Sequence, residues 1–157
     1  MTETTVPLVD MINDHLGGYN TMTGLRFVHA EPDEVRAEIA VSENHLQPYG
    51  LVHGGVLAGM VESLCSVGAA ISVIEENKNT VGLENSTSFL RAVRSGTLRG
   101  TARPVRRGRR TQVWAAEIRD DQARLVATGR LRLLVLEAGA QAAGQEVRLE
   151  SHQTPNS

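Results

Sequence analysis

The sequence predicts an α+β domain in which one long helix lies against one curled antiparallel sheet. Three observations carry this. The run 54–74 is built from Gly, Ala, Val, Leu, Met, Ile and Ser, and its only ionisable side chains are Glu62 and Cys65. Elsewhere, segments alternate apolar and polar residues with the period of half-buried strands. Two of these precede the helical run and four follow it, separated by short turns, so they should pair antiparallel.

Taken in order, Leu8, Met11, Ile12 and Leu16 stand at helical spacing within residues 2–20 and predict a short N-terminal helix. Residues 24–30 and 34–41 predict a hairpin around Glu31-Pro32-Asp33. In its second strand Val35, Ala37, Ile39 and Val41 alternate with Glu34, Arg36, Glu38 and Ala40. The loop 42–51 carries Pro48 and Gly50 and leads into the long helix, expected over about 54–76 and ended by Asn77-Lys78-Asn79. Strands are then expected over 80–93, 97–105, 110–118 and 124–136. Arg94-Ser95-Gly96 should turn the first into the second, Gly108 punctuates the next turn, and Asp120-Asp121 makes the last. Leu125, Ala127, Leu131, Leu133 and Val135 line one face of the closing strand. From Glu137 onward Gly, Ala, Gln and Ser dominate without period, ending in Thr154-Pro155-Asn156-Ser157, which reads as a flexible tail with a helical turn near 138–145. The organisation is thus an N-terminal segment 1–20, one domain 21–137 and a tail 138–157.

Composition narrows the function. With 157 residues, 41% of them hydrophobic, the chain can bury one core. A formal net charge of −2 gives no reason to expect a nucleic-acid partner. One cysteine excludes an intramolecular disulfide framework and a Cys-rich zinc site. Residues 1–11 lack a basic start followed by an apolar stretch, so a cytoplasmic location is expected. The run 54–74 has about the ~20 residues that span a bilayer. It is rich in Gly, Ala and Ser, however, and a central Glu is costly in lipid. A fully buried core helix is expected instead, with no membrane partner.

The chemistry concentrates on that helix. A carboxylate in apolar surroundings is poorly solvated when charged and becomes more basic, so Glu62 is a candidate general base or nucleophile. Gly54 and Gly55 open the helix, where the first N–H groups have no partner within it and the dipole favours negative charge. That suits a polarised carbonyl oxygen. Ser66 lies one turn beyond Glu62 on the same face and could hold a water, or could simply pack at a helix contact. Gln47 offers an amide from the preceding loop. Water, a basic carboxylate and an electrophilic carbonyl together suggest hydrolysis of an acyl group. Gly54 and Glu62 are roughly 12 Å apart along one helix at ~1.5 Å per residue. Two antiparallel helices across a two-fold axis would close that gap, which predicts a homodimer with two shared active sites. Cys65 has no convincing base partner and is read as a small core hydrophobe.

The segment Gln47-Pro48-Tyr49-Gly50-Leu51-Val52-His53-Gly54-Gly55, followed by Glu62 and Ser66, resembles the hotdog-fold acyl-CoA thioesterases. Within them it is most similar to the phenylacetate-pathway type branch, which includes the 4-hydroxybenzoyl-CoA thioesterase of the Arthrobacter kind. Gly82-Leu83-Glu84-Asn85-Ser86-Thr87-Ser88-Phe89-Leu90-Arg91 resembles the strand after the helix in that family, and the likeness covers roughly residues 20–136. The resemblance implies a hotdog fold, with the helix wrapped by the sheet. It implies sheets joined edge to edge in the dimer, often paired again into a homotetramer. The Gly54 or Gly55 amide would polarise the thioester carbonyl, and Glu62 of the partner subunit would activate water or attack the carbonyl directly. Gln47 would help bind or release product, and His53 would bond the thioester or brace the loop. Asn85, Thr87 and Ser88 would line the acyl pocket, or merely pair polar groups at a strand crossing. Among Arg103, Arg106, Arg107, Arg109 and Arg110, and with Arg91 and Arg94, guanidinium groups suited to the phosphates of coenzyme A are available. The substrate-binding set is therefore Gly55, Asn85, Thr87, Ser88, Arg91, Arg94, Arg107, Arg109 and Arg110. No metal or covalent cofactor is implied; coenzyme A enters as part of an aryl- or fatty-acyl substrate.

Two rivals are weaker. A hotdog hydratase or dehydratase places a His and an acid at other offsets, commonly after a Pro-Gly segment that this chain lacks. A non-catalytic acyl-CoA sensor would carry a DNA-binding unit, for which the ~20 residues before Gly24 are too few.

Overall fold

In the computed structural model, which describes residues 7–149, the apolar run becomes helix α3, Gly54–Ile71, lying against a six-stranded antiparallel sheet. Two short helices come first, α1 Leu8–Asp14 and α2 Gly17–Thr23, then β1 Arg26–Glu31 and β2 Glu34–Ala40. After α3 follow β3 Asn79–Phe89, β4 Thr97–Arg107, β5 Thr111–Arg119 and β6 Leu125–Leu136. The sheet order is β1-β2-β4-β5-β6-β3, and α3 touches all six strands. This is the hotdog arrangement that the family resemblance implied.

The burial patterns show why these segments are strands. β2, β4, β5 and the middle of β6 alternate buried with exposed or half-buried residues. Their inward side chains Val35, Ile39, Leu98, Trp114, Ile118, Leu131 and Leu133 pack with Leu57, Met60, Val61 and Leu64 of α3. Trp114 is 0% exposed, and a Cβ on Gly68 would stand 2.4 Å from its ring, so helix and strand meet at backbone distance there. Its indole N–H donates to Gln112 Oε1 at 2.7 Å, so this buried donor is satisfied. Asn13 ties α1 to the sheet edge through paired bonds of 2.8 and 2.9 Å with the Phe27 backbone.

Several expectations are corrected. The expected hairpin between the strand after the helix and β4 does not form: β3 pairs with β6 at the far edge, and β4 pairs with β2. Residues 90–96 are a crossing rather than a tight turn. Leu90 and Arg91 donate to Val126 O, Val93 O accepts from Val52, and Gly96 O accepts from Val41. The long helix ends at Ile71, with a separate 3-10 turn at Ile74–Glu76 closed by Asn77 in the left-handed region. It is not fully buried either; Gly55, Gly59, Glu62, Ser66 and Ala70 form a stripe that is open or half-buried in one chain. The N-terminal segment holds two helices instead of one. The expected helical turn near 138–145 is a small hairpin, β7 Gln141–Ala142 and β8 Gln145–Glu146, turned by Ala143 and Gly144 at positive φ. Asn79 Nδ2 donates to Val147 O at 2.9 Å, so this part of the tail docks on β3. The ends of the predicted segments, residues 1–6 and 150–157, lie outside the described residues.

Leu64 is 0% exposed in the middle of the helix-sheet contact. Leu64→Ala should lower stability by about 2–5 kcal/mol, read as a lower midpoint in urea unfolding.

Candidate active site

Loop 42–53 sets the start of α3. His45 is buried, and its Nδ1 accepts from Ser42 N–H at 2.9 Å while Nε2 faces Thr23 O at 2.9 Å. A carbonyl can only accept, so Nε2 carries the proton. The same residue's carbonyl accepts from His53 N–H at 2.8 Å, and Leu46 bridges Val52. Gln47 closes a turn, with Gly50 N–H donating to Gln47 O at 2.8 Å and its own Oε1 accepting from Tyr49 N–H. Gly50 has φ +73°, a conformation that favours glycine. Arg94 Nη1 donates to Tyr49 O at 2.9 Å and to Gly50 O at 3.2 Å, fastening the loop from outside.

His53 is the N-cap of α3. Its Nδ1 accepts from Gly55 N–H at 2.8 Å, and its carbonyl accepts from Val56. The two glycines are therefore not equivalent. Gly55 N–H is taken, whereas Gly54 N–H donates to no group among the described residues. That leaves one backbone donor at the positive end of an 18-residue helix, the arrangement that attracts an oxyanion. The Phe89 ring lies against it, with two ring carbons 2.9 Å from where a Gly54 Cβ would be. On the other flank Tyr19 Oη reaches Gly55 O at 3.4 Å and occupies the space that a Gly59 Cβ would need. Sequence reasoning missed both rings. Gly at 59 was the available signal, because a small residue on a helix face marks a close neighbour.

Glu62 is half-buried on the open stripe and faces β3. Asn85 Nδ2 donates to Glu62 Oε2 at 3.0 Å and to Ala58 O at 3.0 Å. Thr87 Oγ1 donates to Asn85 Oδ1 at 2.6 Å. Glu62 Oε1 lies over Gly82, whose Cβ, if present, would be 2.5 Å away. Ser66 sits one turn further along α3. Ser88, opposite Thr128 on the other face of β3, is not brought to this cluster.

The arginines fall into two groups. Arg91 and Arg94 follow Phe89, near the start of α3. The turn holding Arg107, Arg109 and Arg110 lies at the Asn79 end of β3, roughly 30 Å away along the strand. Arg107 is engaged in the scaffold, paired with Asp33 and stacked 5.7 Å from the Trp114 ring centroid, and Arg103 pairs with Glu34. Arg106, Arg109 and Arg110 are exposed.

Cys65 is 0% exposed, and its thiol is pushed up to about 12, first by burial and then by the charge of Glu62. A thiol that keeps its proton to that pH is no nucleophile near neutrality.

Comparison with known proteins identifies the family. The profile of the thioesterase superfamily matches residues 49–127. The 1,4-dihydroxy-2-naphthoyl-CoA hydrolase of Escherichia coli is 37% identical over 122 residues, 76% of this chain and 89% of that protein. The solved structure of a candidate esterase of Mycobacterium tuberculosis is 43% identical and superposes with a TM-score of 0.75, covering 76% of this chain and 97% of that one. That of a thioesterase of Haemophilus influenzae is 30% identical, with a TM-score of 0.79 over 87% of this chain and 96% of that one.

Since the folded thiol stays protonated until about 12, raising the pH from 7 to 9 should leave Cys65 unlabelled by a thiol reagent in the native protein. Labelling should appear only on denaturation, and Cys65→Ala should keep its activity.

Proposed function

The chain belongs to the thioesterase superfamily and is a thioester hydrolase; we propose that it cleaves acyl-CoA at sites shared between two copies of the chain. One observation carries the reading. The start of α3 offers a single unpartnered backbone N–H, and the same helix carries one carboxylate, Glu62, held in place on an open face.

In the proposed reaction Gly54 N–H donates to the thioester carbonyl oxygen and Glu62 of the partner subunit faces its carbon. Glu62 either takes a proton from a water whose oxygen bonds that carbon, or bonds the carbon itself to give an anhydride that water then opens. Either way the C–S bond breaks, the sulfur leaves with the electron pair and is protonated, and a carboxylic acid is released. Ser66 would hold the water. Gln47 Oε1 is committed to Tyr49, so its NH2 is the end that would bond the acyl oxygen or the product. His53 acts through the helix cap. Arg91 beside the Gly54 end, with Arg109 and Arg110 of the partner subunit, would meet the phosphates of coenzyme A, and Arg94 would shape the loop.

Three observations support the shared site. Gly54 and Glu62 are roughly 12 Å apart along one helix. The stripe around Glu62 is uncovered in one chain. β3 is an 11-residue edge strand with Leu83 and Phe89 exposed, an unpaired edge that a second copy would complete. Following the phenylacetate-pathway type branch, the assembly is proposed as a homodimer paired again into a homotetramer, acting in the cytoplasm. An aromatic acyl group is favoured over a fatty one, because Phe89 and Tyr19 flank the first turns of α3 and the Escherichia coli relative is named for a naphthoyl thioester.

Thiol release from a panel of aryl- and fatty-acyl-CoA thioesters should show higher kcat/KM for the aryl set, and Glu62→Ala should lose at least about a hundredfold in kcat. Equal slow release by both proteins would instead indicate an acyl-CoA binding protein. Mixing tests the sharing. Glu62→Ala and Gly54→Pro homodimers should both be inactive, while their co-refolded mixture should regain about a quarter of wild-type activity, because half of the dimers then hold one intact site. No recovery would place both groups of each site on one chain.

A further inference from the structure

Resting on the assignment of Glu62 above, we propose that Gly82, Asn85 and Thr87 are positioning residues that form a cradle for the Glu62 carboxylate, and that Asn85 and Thr87 do not line the acyl pocket.

The direction of each bond is fixed by chemistry. Ala58 O can only accept, so the Asn85 atom facing α3 is the amide nitrogen, and this nitrogen also reaches Glu62 Oε2. Asn85 Oδ1 then faces the strand, where the Thr87 hydroxyl donates to it at 2.6 Å. The order Thr87, Asn85, Glu62 therefore runs one way and uses up both ends of the amide. An amide so committed has little left for an acyl group.

The backbone is shaped to the same end. Residues 82 and 85 are three apart, an odd spacing that puts side chains on opposite faces of a regular strand. The register of β3 against β6 slips between Gly82 and Glu84, and this bulge turns both positions toward α3. Gly82 then leaves the gap that Oε1 fills, and Asn85 holds Oε2. Gly129, the partner of Thr87 across the ladder, leaves room for the Thr87 hydroxyl, since a Cβ there would stand 2.7 Å from it. Glycine in a strand interior and a bulge both weaken a sheet. Here they converge on one half-exposed carboxylate that packing alone does not require.

The test is steady-state kinetics on the acyl-CoA substrate that wild type turns over best. Asn85→Ala, Thr87→Val and Gly82→Ala should each lower kcat about tenfold to a hundredfold with KM within about twofold, since a carboxylate misplaced by an ångström costs rate and not affinity. Thr87→Ser, which restores the hydroxyl, should recover most of what Thr87→Val loses. The double variant Asn85→Ala/Thr87→Val should be no worse than Asn85→Ala, because Thr87 acts through Asn85. A raised KM with kcat unchanged would overturn the proposal and return these residues to the acyl pocket. Unchanged kinetics in all three variants, with Glu62→Ala inactive, would sink the cradle alone. Full activity in Glu62→Ala would remove the reading of Glu62 and the cradle with it.

Discussion

Helix α3 is apolar on most of its surface, and Glu62 is its only charged side chain. Its stability comes from the sheet that curves around it. Leu57, Met60, Val61 and Leu64 are buried there, at about 1.5–3 kcal/mol for each large side chain removed from water. Glycines at 68 and 100 let Trp114 and Leu64 close the distance between helix and strands. The helix start is then fixed by the crossing 90–96 and the loop 42–53, which hydrogen-bond to each other across Val52 and Val93. The position of Gly54 N–H follows from this packing, as does the height of Glu62 on the sheet edge.

The edge strand β3 links scaffold to chemistry. It is paired on one side only, and it supplies Gly82, Asn85, Thr87 and Phe89, each of which meets α3 or a side chain that does. A central strand could not do this, because its inner face would be filled by core residues as those of β4, β5 and β6 are. The edge therefore serves two ends that compete for the same residues. It holds a carboxylate, and under the proposed assembly it also stays open for a second chain.

Much of the fold was legible because its signals are local. The apolar run, the alternation of Val35, Ala37 and Ile39, and the turns at Pro32 and Asp120 each mark an element without reference to distant residues. The pairing of β3 was not legible. Adjacent strands usually form hairpins, whereas here residues 90–96 carry the chain from one edge of the sheet to β4, beside β2. Glu62, Gly54 and Gln47 stood out by type and spacing, whereas the role of Asn85 did not. Period-2 alternation sets it opposite Gly82, and the bulge that reverses this appears only in the ladder. A glycine inside a strand was the one available sign of a close approach. Arg107 shows the converse limit. Its place in a basic run suggested a phosphate ligand, but its guanidinium stacks on Trp114 and pairs with Asp33, which are remote in sequence.

The two halves of the site differ in how sequence can change them. The proposed oxyanion donor is a backbone N–H, and its availability depends on neighbours: His53 takes the adjacent N–H, and Gly54 leaves space where Phe89 packs. Substitution at these places alters approach to the donor more than the donor itself. The carboxylate is a side chain on a flexible stem, so its aim must be supplied from outside, by Asn85 on one oxygen and by the absence of a Cβ at Gly82 beside the other. Chemistry that needs both groups then has to cross from one end of a helix to a point two turns along another. The helix-sheet packing fixes these distances in a single chain, and that is the physical ground on which the proposed site draws its two groups from two chains.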